Sequence, residues 1–75
     1  MNKHDIAVGM IDSRFALLLE GDTSEQLHGE TSMAIEMAHA SGAIDDDERR
    51  HYLVRHYRIL ARQYREILLL LEQRQ

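Results

Sequence analysis

At 75 residues and a formal charge of −4, the chain has room for one small domain, spanning 1–75. A single core of that size supplies only about 3–5 kcal/mol, so self-association is expected. It has no cysteine, which excludes disulfides, thiolate metal sites and cysteine nucleophiles and fits a cytoplasmic location.

No apolar run approaches the roughly 20 residues of a membrane helix, and the start Met1–Asp5 lacks a signal-peptide pattern. No membrane association is expected. With no proline and four glycines, the composition favours long, uninterrupted helices. The charge is unevenly placed. Residues 1–45 carry two bases and eight acids, a net −6, whereas residues 46–75 carry seven bases and five acids, a net +2. Such halves can attract each other or serve different partners.

The first helix is predicted over about 3–20. Val8, Ile11, Phe15 and Leu18 repeat at helical spacing, and Ala7, Met10 and Leu19 widen the apolar face. Gly21 stands where a left-handed cap ends a helix, and Asp22-Thr23-Ser24 reads as a turn. A second helix follows over about 24–41, with Thr23 as its N-cap and Gln26 completing a capping box. Leu27, Thr31, Ala34, Ala38 and Ser41 form its expected inner face. Their small size invites close approach by another helix, while Gly29 weakens the middle.

Asp45-Asp46-Asp47-Glu48 marks the sharpest boundary. Asp45 is an N-cap, Glu48 its capping-box partner, and the acids suit the positive end of a helix. Ile44 is placed to act as a hydrophobic staple. The short link after Gly42 makes helices two and three an antiparallel hairpin. The third helix, about 46–73, carries Leu53, Tyr57, Leu60, Tyr64, Ile67 and Leu71 at coiled-coil spacing, broadened by Val54, Ala61 and Leu68. Near its end Ile67-Leu68-Leu69-Leu70-Leu71 is apolar all round, more than one neighbour can cover, and a second copy is the expected partner.

Few residues point to chemistry. Glu25/His28, Glu36/His39 and Glu48/His51 share the Glu-x-x-His spacing of metal-binding bundles. Their angular positions place them opposite the apolar faces, so they read as exposed ion pairs and no metal or cofactor is expected, a metal-binding helical-bundle protein being the third reading. The acidic run at 45–48 lacks the alternating ligands, central glycine and distal glutamate of a calcium loop. Arg55, Arg58, Arg62 and Arg65 form a stripe opposite the seam, the candidates for nucleic-acid contact. With no aromatics interleaved and an acidic chain, that reading is the runner-up. Met33 and Met37 read as gap-filling core residues, with an adaptable binding surface as the alternative. No serine has a catalytic context and no glycine-rich phosphate loop occurs, so the chain is read as a non-enzyme.

The expected architecture is therefore all-α. A short N-terminal helix precedes an antiparallel hairpin with a long C-terminal helix, and the chain dimerises as a helical bundle. The expected oligomer interface is Leu53, Tyr57, Leu60, Tyr64, Ile67, Leu68 and Leu71. The acids Glu25, Glu30 and Glu36 are the expected face for a protein partner, which makes the chain a helical protein–protein interaction module of the regulator or inhibitor kind.

Overall fold

The computed structural model describes residues 2–73, with Met1, Arg74 and Gln75 outside it. These residues form three helices and no strand: α1 Lys3–Leu19, α2 Glu25–Ala40 and α3 Asp46–Glu72. None of the helices is long and apolar enough to cross a membrane.

Each boundary has a local cause. Asn2 caps α1 through a 2.8 Å bond that its Oδ1 accepts from the Asp5 amide. Both α1 and α2 end in the same way. Gly21 (φ 111°) and Gly42 (φ 77°) turn left-handed, and the amides of Asp22 and Ala43 reach back to the carbonyls of Leu17 and Ala38. The capping box on α3 is present as expected, with Asp45 accepting from the Glu48 amide at 2.8 Å and Glu48 accepting from the Asp45 amide at 3.1 Å. The cap of α2 differs from expectation. Ser24, not Thr23, accepts from the Leu27 amide, and Gln26 bonds Glu30 instead of closing a box. Asp22 accounts for the shift, because it accepts from the Ser24 amide at 2.9 Å and holds the turn one residue later.

Side-chain contacts fix the directions. Arg14 meets Glu30 and Lys3 meets Ser41, so α1 and α2 run antiparallel. Glu36 meets Arg49 and His28 meets His56, so α2 and α3 form the expected antiparallel hairpin. His4 with Glu48 and Asp12 with Arg55 set α1 parallel to α3.

The core gathers Ile11, Phe15 and Leu18 from α1, Leu27, Ile35 and Ala38 from α2, and Tyr52 and Ile59 from α3. Ala43 and Ile44 close one end. Thr31 is fully buried on α2 as expected, but Ile35 joins it there instead of Ala34, and Ser41 is exposed. The reason is that α2 is wedged between two helices. Its Ala34–Ser41 edge turns toward α1, while His28, Ile35 and His39 turn toward α3. Met33 and Met37, read as core residues, are exposed at 61% and 64%, because they lie on the outer shoulder of the α1 side.

On α3 the core line is Tyr52, His56, Ile59 and Gln63. At about 100° per residue, the line Leu53–Tyr57–Leu60–Tyr64 sits a quarter turn away from it. Gln63 is the last tether, donating to the carbonyls of Leu18 and Asp22. Beyond it, residues 64–73 are exposed throughout; Tyr64 and Ile67 still lie beside Thr23 and Glu25, and the rest of the helix runs on past the body. The molecule accordingly measures 52 × 19 × 15 Å.

Candidate interaction surfaces

Two apolar surfaces remain bare. The first is the α3 row. Leu53 is half-buried against the core, but Tyr57, Leu60, Tyr64, Ile67, Leu68 and Leu71 are all exposed. Val54, Leu69 and Leu70 are exposed as well, so the projecting tip presents hydrocarbon in every direction. Around Thr23, Glu25 and His28 this row borders a cleft of about 260 Å³, which ties the tip to the body's end.

The second surface was present in the sequence reading only as the alternative for Met33 and Met37. On the side away from α3, α1 and α2 leave two adjoining hollows of about 530 Å³ each, which together form a groove. Ile6 and Met10 form one wall and Met33 and Met37 the other, over a floor that includes Ala7 and Ala34. Lys3 stands at one end, and Arg14 and Glu30 face each other at the other, 3.7 Å apart. The signal available in the sequence was Ile6, Met10, Met33 and Met37 at one-turn spacing. Reading the methionines as core fillers concealed it.

The charged candidates are distributed differently from expectation. Glu36 is engaged by Arg49 at 2.9–3.1 Å, and that carboxylate holds the guanidinium pKa above its usual value. Glu30 faces Arg14 and Gln26, leaving Glu25 as the expected partner-binding acid that engages no cation among the described residues. The three acids therefore do not form one free face. In the arginine stripe Arg58, Arg62 and Arg65 are exposed, whereas Arg55 is half-buried. Its guanidinium lies 4.4 Å from the Phe15 ring centre and 3.9 Å from Asp12, a cation–π contact that belongs to the core's edge. Changing Arg58, Arg62 or Arg65 to glutamine is expected to shift stability by no more than about 0.5 kcal/mol each. Arg55→Gln should cost more, about 1 kcal/mol, and chemical denaturation of the four single variants checks the order.

The Glu-x-x-His pairs do not act as pairs. His39 bonds Asp46 at 2.5 Å, which lowers the Asp46 pKa, and Glu48 bonds His4 at 2.6 Å, which raises the His4 pKa and lowers its own. His28, expected to be exposed, points at α3. Its Nδ1 lies 2.8 Å from His56 Nε2 and its Nε2 lies 2.8 Å from Gln63 Oε1, with the two imidazoles stacked at 5.1 Å. Among the described residues no three His, Asp or Glu side chains converge as metal ligands. The histidine pair, His56 buried and His28 half-buried, escaped notice because neither residue belongs to an expected apolar repeat. Its only trace was His56 on the Tyr52–Ile59 line.

No known protein family, characterised relative or solved structure matches the chain.

Proposed function

We propose that this chain is a protein–protein interaction module, of the regulator or inhibitor kind, that works as a homo-oligomer through α3. The observation that carries the reading is the α3 row: six large apolar side chains stay exposed on one helix, four of them beyond Gln63, its last tether to the body. Exposed contiguous apolar area of this sort marks an interaction site on a soluble protein. Self-association is the economical way to cover it in so small a chain. The reading assigns the chain no reaction.

The test is the mass in solution. At tens of micromolar the protein should sediment well above its 8.7 kDa chain mass. Leu60→Asp combined with Ile67→Asp should return it to the chain mass, because charge placed in an apolar contact is left unpaired. Both side chains are exposed in the single chain, so the three-helix body should keep most of its helicity. Leu71→Asp, farther from the body, should act in the same direction. Sedimentation of the unaltered protein as a monomer would overturn the proposal. Salt-sensitive retardation of DNA or RNA would instead favour the exposed arginines as the working surface.

A further inference from the structure

Self-association through α3 brings a second copy against the row that borders the cleft at the end of the body, and the inference drawn here rests on that reading. We propose that the hydrogen-bond chain of His56, His28 and Gln63 makes this association proton-sensitive, so that copies join while both imidazoles are neutral and part as they take up protons.

The chain of contacts leads from the core to the contact surface. His56 is buried on the core line of α3, and its Nε2 lies 2.8 Å from Nδ1 of the half-buried His28. His28 Nε2 lies 2.8 Å from Gln63 Oε1, and Gln63 Nε2 donates to the carbonyls of Leu18 and Asp22. His28 and Gln63 line the cleft of about 260 Å³ together with Leu60, Tyr64 and Ile67. Those last three are exposed members of the row that association would cover.

Two effects set the sign. One acts within a copy. His28 accepts from His56 only while its Nδ1 keeps a lone pair, and a proton on every ring nitrogen would turn two N–H groups toward each other. Parting the rings disturbs Gln63, the tether that seats Leu60, Tyr64 and Ile67 at the end of the body. The other effect acts between copies. A partner that covers the row closes the cleft and takes His28 further from water, and burial disfavours a charged imidazolium. A protonated copy must then release its proton to associate. The dissociation constant rises by up to about tenfold per pH unit for each proton excluded.

The charged groups facing the pair come from each neighbouring element. Asp22 stands near His28 from the α1–α2 turn, and Glu25 lines the cleft one turn before it on α2. On α3, Arg55 lies beyond Phe15, and Arg62 and Glu66 border the adjoining hollow with Gln63. Among the described residues no carboxylate bonds either imidazole of the pair, and Asp22 is exposed and spent on the Ser24 amide. The remaining histidines lie elsewhere: His4 and His39 bond carboxylates at the other end of the body, and His51 is exposed.

Sedimentation equilibrium at constant ionic strength, at about pH 7.5 and about pH 5.5, tests the proposal in the range where histidine titrates. Circular dichroism at both values follows the body. The dissociation constant of the unaltered protein should rise at least about tenfold on acidification while its helicity holds. His28→Gln combined with His56→Gln keeps amide donors and acceptors but cannot titrate, so its dissociation constant should change less than about twofold. Should the double variant fail to fold, His56→Gln alone should show a shift well below that of the unaltered protein. His39→Gln, at the far end, should keep the full shift. Equal association of the unaltered protein at both pH values would overturn the inference and leave the proposed function standing. An undiminished shift in the His28 and His56 variants, or loss of helicity in step with dissociation, would overturn it as well. A protein monomeric at both pH values removes both readings.

Discussion

Phe15→Ala should abolish cooperative unfolding. The Phe15 side chain is fully buried and joins α1 to α3, with its ring 6.1 Å from Tyr52 in a stacked arrangement and 6.3 Å from His56 edge-on. Arg55 covers it from outside. Truncating a buried phenylalanine costs about 3–5 kcal/mol in lost transfer energy and residual cavity. That matches the roughly 3–5 kcal/mol a core of this size provides. The loss also frees Arg55 and leaves the His56 edge without its packing partner. A thermal melt followed by circular dichroism should therefore lose its sigmoid and begin from reduced helicity. Leu17→Ala, two residues on and 44% exposed, should shift the transition only slightly. A cooperative melt within a few degrees of the original for Phe15→Ala would show that the core is centred elsewhere.

The helices were legible in the sequence because their signals are local. Gly21 and Gly42 lie where a left-handed residue must end a helix, and Asp45 with Glu48 closes a box that depends only on neighbouring residues. The cap of α2 was misassigned by one residue where two side chains competed. Asp22 held the Ser24 amide, and Thr23 lost its place as cap. Facing was harder to read. The coiled-coil spacing of Leu53, Tyr57, Leu60 and Tyr64 is strong, yet the core uses the neighbouring line of Tyr52, His56 and Ile59. A helix of 27 residues can carry two adjacent stripes, and spacing alone does not say which one the chain's own helices cover. Here they cover the line that includes a histidine, because α1 and α2 supply aromatic and polar partners to it.

The same limit explains both surfaces that were misjudged. His28 seemed to face outward when α2 was given a single apolar face, but a helix wedged between two neighbours has two inward flanks. One of those flanks carries His28 and His39 toward α3. The other carries Ala34, while Met33 and Met37 ride above it on the groove wall. Whether a methionine fills a core or lines a groove depends on the number of neighbouring helices. Residue type does not encode that number. With three helices and one side of the α1–α2 pair uncovered, the methionines are left on the rim.

Acid should loosen the junction between body and tip before any carboxylate titrates. The hydrogen-bond chain there fixes its protons. Gln63 donates through Nε2 to the carbonyls of Leu18 and Asp22, so its Oε1 accepts from His28 Nε2–H. His28 Nδ1 then accepts from His56 Nε2–H across 2.8 Å. With a proton on every ring nitrogen, two N–H groups would face each other across that contact. Burial, reinforced by the charge of His28, holds the His56 pKa below its ordinary 6.5. The other charged groups around the pair are Asp22 near His28 and Arg55 beyond Phe15.

The sign follows from proton counting. The unfolded chain binds a proton at His56 from about pH 6.5 downward while the folded chain resists it, so stability is full above that pH and falls below it. The loss can reach about 1.4 kcal/mol per pH unit for one proton. His4 acts in the opposite sense, since its raised pKa favours the folded form below pH 6.5 and that contribution fades as pH rises; it is exposed and contributes little. Asp22, Asp46 and Glu48 have lowered pKa values, and their contributions persist until the pH falls to the ordinary carboxylate range near 4. Between about pH 6.5 and 5, below the histidine range and above the carboxylate range, the loss of stability therefore reports His56. Urea unfolding at fixed protein concentration should show stability dropping across that interval. In His56→Gln the donor to His28 is retained and the titration is lost, so the slope should flatten while stability at pH 7.5 changes little. An equal slope in the variant would place the acid sensitivity at another group.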